Sequence, residues 1–101
     1  MVNKIFQDMA SMRDDQSLPV GKRIENLQRY RGWDYRTTAA ACNESVDVVR
    51  GARRGTVVGE RALRILNILA DPLVARPFLP PKISKREVFD YLCHLSGQNI
   101  I

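Results

Sequence analysis

The chain has 101 residues, 45% of them apolar and 27% charged, which suits one domain with a modest core and excludes a disordered chain. No apolar run is long enough to cross a bilayer, and the N-terminus lacks the basic region and apolar block of a secretory signal, so a cytoplasmic protein is expected. The net charge is +5 and unevenly placed: Lys22 to Arg64 holds ten Lys and Arg against five acids, while residues 1–21 sum to −1 and residues 65–101 to +1. A basic central segment fits a surface that meets a phosphate backbone, and equally a solvated face without a partner.

Residues 2–12 place Val2, Ile5, Phe6, Met9 and Met12 on one stripe at helical spacing, so a short amphipathic helix is expected there, on the core or on a second subunit. Arg13-Asp14-Asp15-Gln16 reads as a loop. Ser17 is an N-cap candidate with Pro19 in the first helical turn. The helix that follows should bury Ile24 and Leu27 and turn Lys22, Arg23, Arg29 and Arg31 to solvent or a ligand, with Gly32 as its stop.

Trp33 is expected as a core anchor, and Asp34 as the cap of a helix over residues 35–42. Thr38, Ala39 and Cys42 are small inward positions there, which lets another helix cross closely. Asn43 tolerates the left-handed conformation of a sharp helix exit. Ser45 caps the next helix, which runs to about Arg54 and ends at Gly55. Val49 and Ala52 bury, Val46 or Val48 covers an edge, and Asp47, Arg50, Gly51 and Arg54 fall outward.

Gly59-Glu60 opens a strongly apolar helix containing Ala62, Leu63, Ile65, Leu66, Ile68 and Leu69, and Asp71-Pro72 ends it. Four of the five prolines lie in residues 72–81, an extended connector. Ser84-Lys85-Arg86-Glu87 has the form of a capping box, with Ile83 and Val88 as its hydrophobic staple. Val88, Tyr91, Leu92 and Leu95 make an apolar stripe that Gly97 should end. The expected fold is all-α, a compact bundle of five to six helices. Its segments are an N-terminal helix and loop (1–16), a helix-turn-helix unit (17–71), the proline-rich connector (72–83) and a C-terminal helix (84–101).

Cys42 and Cys93 are too few for a disulfide framework, and with His94 the only histidine they offer no zinc-ligand spacing; both read as buried thiols. Cys93 and His94 are neighbours on a helix and point apart, which argues against a Cys–His pair. No nucleophile–base set, paired carboxylate site or phosphate loop is present, so no enzyme, cofactor, metal or small-molecule ligand is expected.

The central segment resembles the helix-turn-helix of lambda-repressor/Cro-type (XRE-like) regulators over residues 20–70, about half the chain. Val20-Gly21-Lys22-Arg23-Ile24 looks like that family's first helix and Arg31-Gly32-Trp33 like its loop. Ala39 falls at the helix crossing, Asn43 at the usual Gly of the turn, and Ser45 at the recognition-helix cap. Val49 falls at the buried branched position, Arg54-Gly55 at the exit, and Leu63-Ile65-Leu66 at the next core helix. The chain departs from the pattern at Glu44, where the family buries an apolar residue, at Thr38 and Cys42, which replace larger aliphatics, and at Ala52, where an Ile or Trp is usual.

The resemblance implies that double-stranded DNA is the partner. Val46, Asp47, Arg50 and Arg54 would then contact bases, with Arg50 bidentate to guanine, Asp47 on a cytosine amino group or on Arg50, and Val46 on a thymine methyl. Ser45 would face the same groove. Lys22, Arg23, Tyr35, Arg36, Thr37, Ser45 and Arg53 would hold the backbone. It also implies a transcriptional regulator, a repressor by expectation, acting as a homodimer through residues 2–12 or 84–101. The alternatives are an antitoxin that binds a toxin and represses its own operon, and a protein-interaction module without DNA; no membrane partner is expected. Trp33 and the tyrosines are expected as core or rim rather than as base-stacking groups.

Overall fold

The computed structural model describes residues 3–80 and 85–98. Six helices follow in order: α1 Lys4–Arg13, α2 Val20–Arg31, α3 Tyr35–Cys42, α4 Val46–Arg54, α5 Glu60–Leu69 and α6 Lys85–Gln98. No strand occurs among the described residues, so the fold is all-α.

Local chemistry sets most of the boundaries. Asn3 Oδ1 accepts from the Ile5 N–H at the start of α1. Gly32, at φ 67°, ends α2 in the left-handed conformation, and the Trp33 N–H reaches back to the Gln28 carbonyl. The Asp34 carboxylate accepts from the Thr37 N–H at 2.7 Å and Ser45 Oγ from the Val48 N–H at 3.2 Å, so both expected caps form. Between them Asn43 takes φ 53°, ψ 46°, and the Glu44 N–H bonds the Ala39 carbonyl. Thus α3 and α4 are two short helices joined by a tight three-residue corner.

Other boundaries differ from expectation. Ser17 does not cap α2, which begins at Val20 with Pro19 in the cap position and no side-chain acceptor; the Ser17 Oγ and N–H instead both donate to Asp15 Oδ1. Gly97 does not end α6, which continues to Gln98. Ile83, Ser84 and the tail lie outside the described residues, as do Val2 and the side chains of Glu87, Val88 and Leu95, so the capping box and its staple fall there too.

The core is built by α2 and α5, with α1, α3 and α4 packed around them. Met9, Ile24, Leu27, Trp33, Cys42, Ala52, Ile65, Leu66 and Leu69 meet in one cluster. Val49 is also fully buried. Only half of the α1 stripe takes part: Met9 is buried and Met12 packs against the cluster, while Ile5 and Phe6 remain exposed. Leu63 is likewise exposed, which narrows the buried face of α5.

Small residues make the crossings. A Cβ on Gly21 would stand 2.2 Å from the Arg53 carbonyl oxygen, so α2 and α4 touch backbone to backbone. Gly51, expected on the outward face, is instead buried beneath Thr56 and Val57. Its carbonyl accepts from the N–H groups of Gly55, Thr56 and Val57, which folds the loop after α4 back over the helix.

Two arginines of α2 expected to face outward turn in. Arg23 is 9% exposed and donates from Nε to the Leu18 carbonyl at 2.9 Å and from Nη1 to the Arg13 carbonyl at 3.5 Å. Arg31 lies 3.8 Å over the Trp33 ring and donates to the carbonyls of Leu69, Asp71 and Val74, clamping the start of the connector. Carbonyls at the ends of α1 and α5 and in the adjoining loops recruit these guanidiniums, because a partly buried C=O without enough donors is costly. The connector then passes Arg36, whose Nη2 bonds the Pro80 carbonyl at 2.6 Å. Beyond it, among the described residues, α6 makes no extensive packing with the other five helices, and Phe89, Tyr91 and Leu92 are exposed.

Candidate nucleic-acid interface

The outward face of α4 gathers the four residues expected to contact bases. Asp47, Arg50 and Arg54 are exposed and Val46 half-buried, on successive turns of one side. Asp47 Oδ1 lies 3.7 Å from Arg50 Nη1. Ser45 begins this face, but its hydroxyl oxygen is committed to the Val48 N–H.

Tyr35, in the first turn of α3, sits beside α4. The Arg50 guanidinium carbon is 5.2 Å from its ring centroid and that of Arg53 is 5.0 Å, both within cation–π range. Arg53 also reaches Glu25 Oε1 at 3.3 Å, and Glu25 takes Arg29 at 2.7 Å and Lys22 Nζ at 3.3 Å. A continuous polar strip therefore runs from Lys22 on α2 through Glu25, Arg53, Tyr35 and Arg50 to Asp47. The hydrogen bond from Lys22, with the charges of Lys22, Arg29 and Arg53, holds the Glu25 carboxyl below its ordinary pKa.

A recess of about 440 Å³ lies next to this strip, lined by Asp34, Tyr35, Arg36, Val46 and Arg50. The Asp34 carboxyl at its edge is held below its ordinary value, chiefly by the Thr37 N–H it accepts from. Arg36 faces the recess while tied to Pro80.

Not every residue expected on the DNA backbone reaches this surface. Arg23 is withdrawn into the core side of α2, as described above. Thr37 is 2% exposed, so its side chain has no access to a ligand; what it offers is the N–H that Asp34 occupies. Lys22, Tyr35, Arg36, Ser45 and Arg53 remain accessible in part or in full.

Two residues with no assigned role prove to organise the site. Glu25 joins α2 to α4 through Arg53; its spacing from Lys22 and Arg29 is visible in the sequence, whereas the link to Arg53 is not. Glu44, noted in the sequence only as a departure from the resemblance, has a side chain only 13% exposed and pairs with Arg61 on α5, Nε to Oε2 at 2.9 Å, with Arg64 at 4.0 Å. That ion pair anchors the corner of the helix-turn-helix to the core helix and gives the polar residue its reason. Cys42 is buried as expected, with its pKa pushed up to about 11 by burial, whereas Cys93 is exposed, against expectation.

Among the described residues no group of three or more His, Cys, Asp or Glu is placed to hold a metal ion, and no helix is long and apolar enough to cross a membrane. Comparison with protein-family models, with curated protein sequences and with solved structures gave no match.

Proposed function

We propose that the protein is a sequence-specific DNA-binding transcriptional regulator, a repressor by preference, with α4 as its recognition helix. The observation that carries this reading is the outward face of α4. Val46, Asp47, Arg50 and Arg54 stand together there, on a helix second in a helix-turn-helix and backed by Arg53 and Lys22. An α-helix of this kind fits the major groove, where Arg reads guanine through two hydrogen bonds and a carboxylate reads cytosine. In this reading Arg53, Arg36 and Lys22 hold phosphates, and Arg23 and Thr37 act only in the fold.

One such unit buries little surface on DNA, so the active species is a homodimer. The exposed Phe89, Tyr91 and Leu92 of α6, a helix with little support from its own bundle, favour the C-terminal helix as the dimer element over α1. The same exposed side chains are what an antitoxin would offer to a toxin, and co-purification of a second small protein in place of a homodimer would favour that alternative.

Selection of bound sequences from a random DNA library tests the reading. Two half-sites related by a twofold axis are expected, about 10 base pairs apart centre to centre. Affinity for a duplex should also fall steeply with salt, with a slope of roughly −0.9 per phosphate contact. Binding without salt dependence, or none at all, leaves a protein-interaction module. Sedimentation at micromolar concentration should give a dimer, and a monomer would remove the assignment of α6.

A further inference from the structure

We propose that Tyr35 is the positioning residue of the base-reading face, using its ring to hold Arg50 and Arg53 in place before DNA arrives; the inference rests on the DNA reading above and assigns Tyr35 a different part in it. As a first-turn residue of the helix before the recognition helix, Tyr35 is placed by the resemblance on the DNA backbone. The geometry points to the ring instead. Arg50 and Arg53 are three residues apart on α4, so they project from one side, and both guanidiniums lie within 5.2 Å of the same ring centroid.

The two arginines are secured unequally, and this separates their tasks. Arg53 is held from behind by Glu25 at 3.3 Å, and its side chain is 25% exposed. Among the described residues Arg50 has only the loose Asp47 contact at 3.7 Å besides the ring, and its side chain is 48% exposed. Without Tyr35, Arg53 keeps an ionic anchor while Arg50 becomes a long side chain free to sample its rotamers. Ordering that side chain on binding would then cost affinity for the correct base pair, which a pre-held guanidinium avoids. Tyr35 therefore acts on discrimination through Arg50 and leaves the phosphate contacts of Arg53 in place.

The test compares Tyr35→Phe with Tyr35→Ala in the full-length protein, on the selected operator and on an unrelated duplex. Tyr35→Phe should match wild type on both. Tyr35→Ala should weaken operator binding about fivefold, leave the unrelated duplex and the salt slope unchanged, and relax selection at the base pair assigned to Arg50. Nuclear magnetic resonance of the DNA-free proteins gives a second readout. The Arg50 and Arg53 side-chain protons should be shifted by the ring current in wild type and Tyr35→Phe, and unshifted in Tyr35→Ala.

Uniform weakening of both duplexes by Tyr35→Phe, or unshifted arginine protons in wild type, overturns the proposal and leaves the DNA reading standing. A wild-type protein that selects no sequence removes the DNA reading itself, even with the arginines shifted.

Discussion

Gly21 lies against the backbone of Arg53 so closely that a Cβ on it would meet the Arg53 carbonyl oxygen at 2.2 Å and the carbonyl carbon at 2.8 Å. This contact sets how near α4 comes to α2, and with it how far the arginine face stands from the core. Gly21→Ala gains up to about 1 kcal/mol of helix propensity, but overpacking against a backbone that cannot rotate away costs about 3 kcal/mol. The clash wins. A melting temperature lowered by on the order of 10 °C is expected by calorimetry, and an unchanged one would refute the close approach.

Glu44 and Arg61 should be coupled. The carboxylate is mostly buried while Arg61 is largely exposed, so removing Arg61 strands a poorly solvated charge with only Arg64 at 4.0 Å to answer it. A double-mutant cycle with Glu44→Leu and Arg61→Ala should give a coupling of about 1 kcal/mol. Glu44→Leu alone should cost less than Arg61→Ala, because an aliphatic suits a half-buried corner and leaves its partner arginine in water. The reverse order in urea unfolding would contradict this account of the corner.

The arginines should divide into readers and structural groups. Arg50→Ala should abolish discrimination at one base pair at a cost of roughly 1–3 kcal/mol on the specific site, with the fold retained. Arg53→Ala should weaken all sequences alike and reduce the salt slope by about 0.9.

Arg23→Ala should behave oppositely to both. Its guanidinium serves the Leu18 and Arg13 carbonyls, so stability should drop by about 1–3 kcal/mol while the salt slope stays unchanged. A changed slope in Arg23→Ala would return that residue to the proposed DNA surface.

The two thiols should react differently. Cys93 should be alkylated readily in the native protein at pH 8, and Cys42 only after unfolding. In the folded state Cys42 keeps its proton up to about 11, whereas the unfolded thiol ionises near its ordinary 9.0. Its contribution is therefore complete below pH 9 and is lost as pH rises through about 11. Cys42→Ser should change the alkaline limb of the stability profile, and an identical limb would show that burial does not hold the thiol neutral. In acid the sign reverses for Asp34 and Glu25, whose lowered values mean stability lost as the pH falls below the ordinary carboxylate range.

Interactions between residues three to six apart were legible without the structure. Asp34 and Ser45 each bond an N–H three residues on, Gly32 and Asn43 take the left-handed exits, and apolar periodicity identified Ile24, Leu27, Val49 and Leu66 as core. Ser17 is the exception at this range: α2 begins two residues further on, with Pro19 at its cap position, and Ser17 instead bonds Asp15. At the outward face of α4 the spacing of Asp47, Arg50 and Arg54 sufficed, since a helix of known start leaves little freedom in where each side chain projects.

What only the tertiary structure decided is which polar side chains find partners far along the chain. Arg31 turns inward to carbonyls 38 to 43 residues away, and Glu44 pairs with an arginine 17 residues on. Gly51 is buried by the loop that folds back over it. Helical periodicity assigns a long charged side chain to the outside because desolvating it is expensive, and that inference holds until the fold supplies free carbonyls or an opposite charge to replace the water. Sequence alone thus determined an all-α bundle of five to six helices with its basic residues concentrated in the middle of the chain. The contacts between helices determined which of its arginines belong to the core, which are held on Tyr35, and which remain free to meet a ligand.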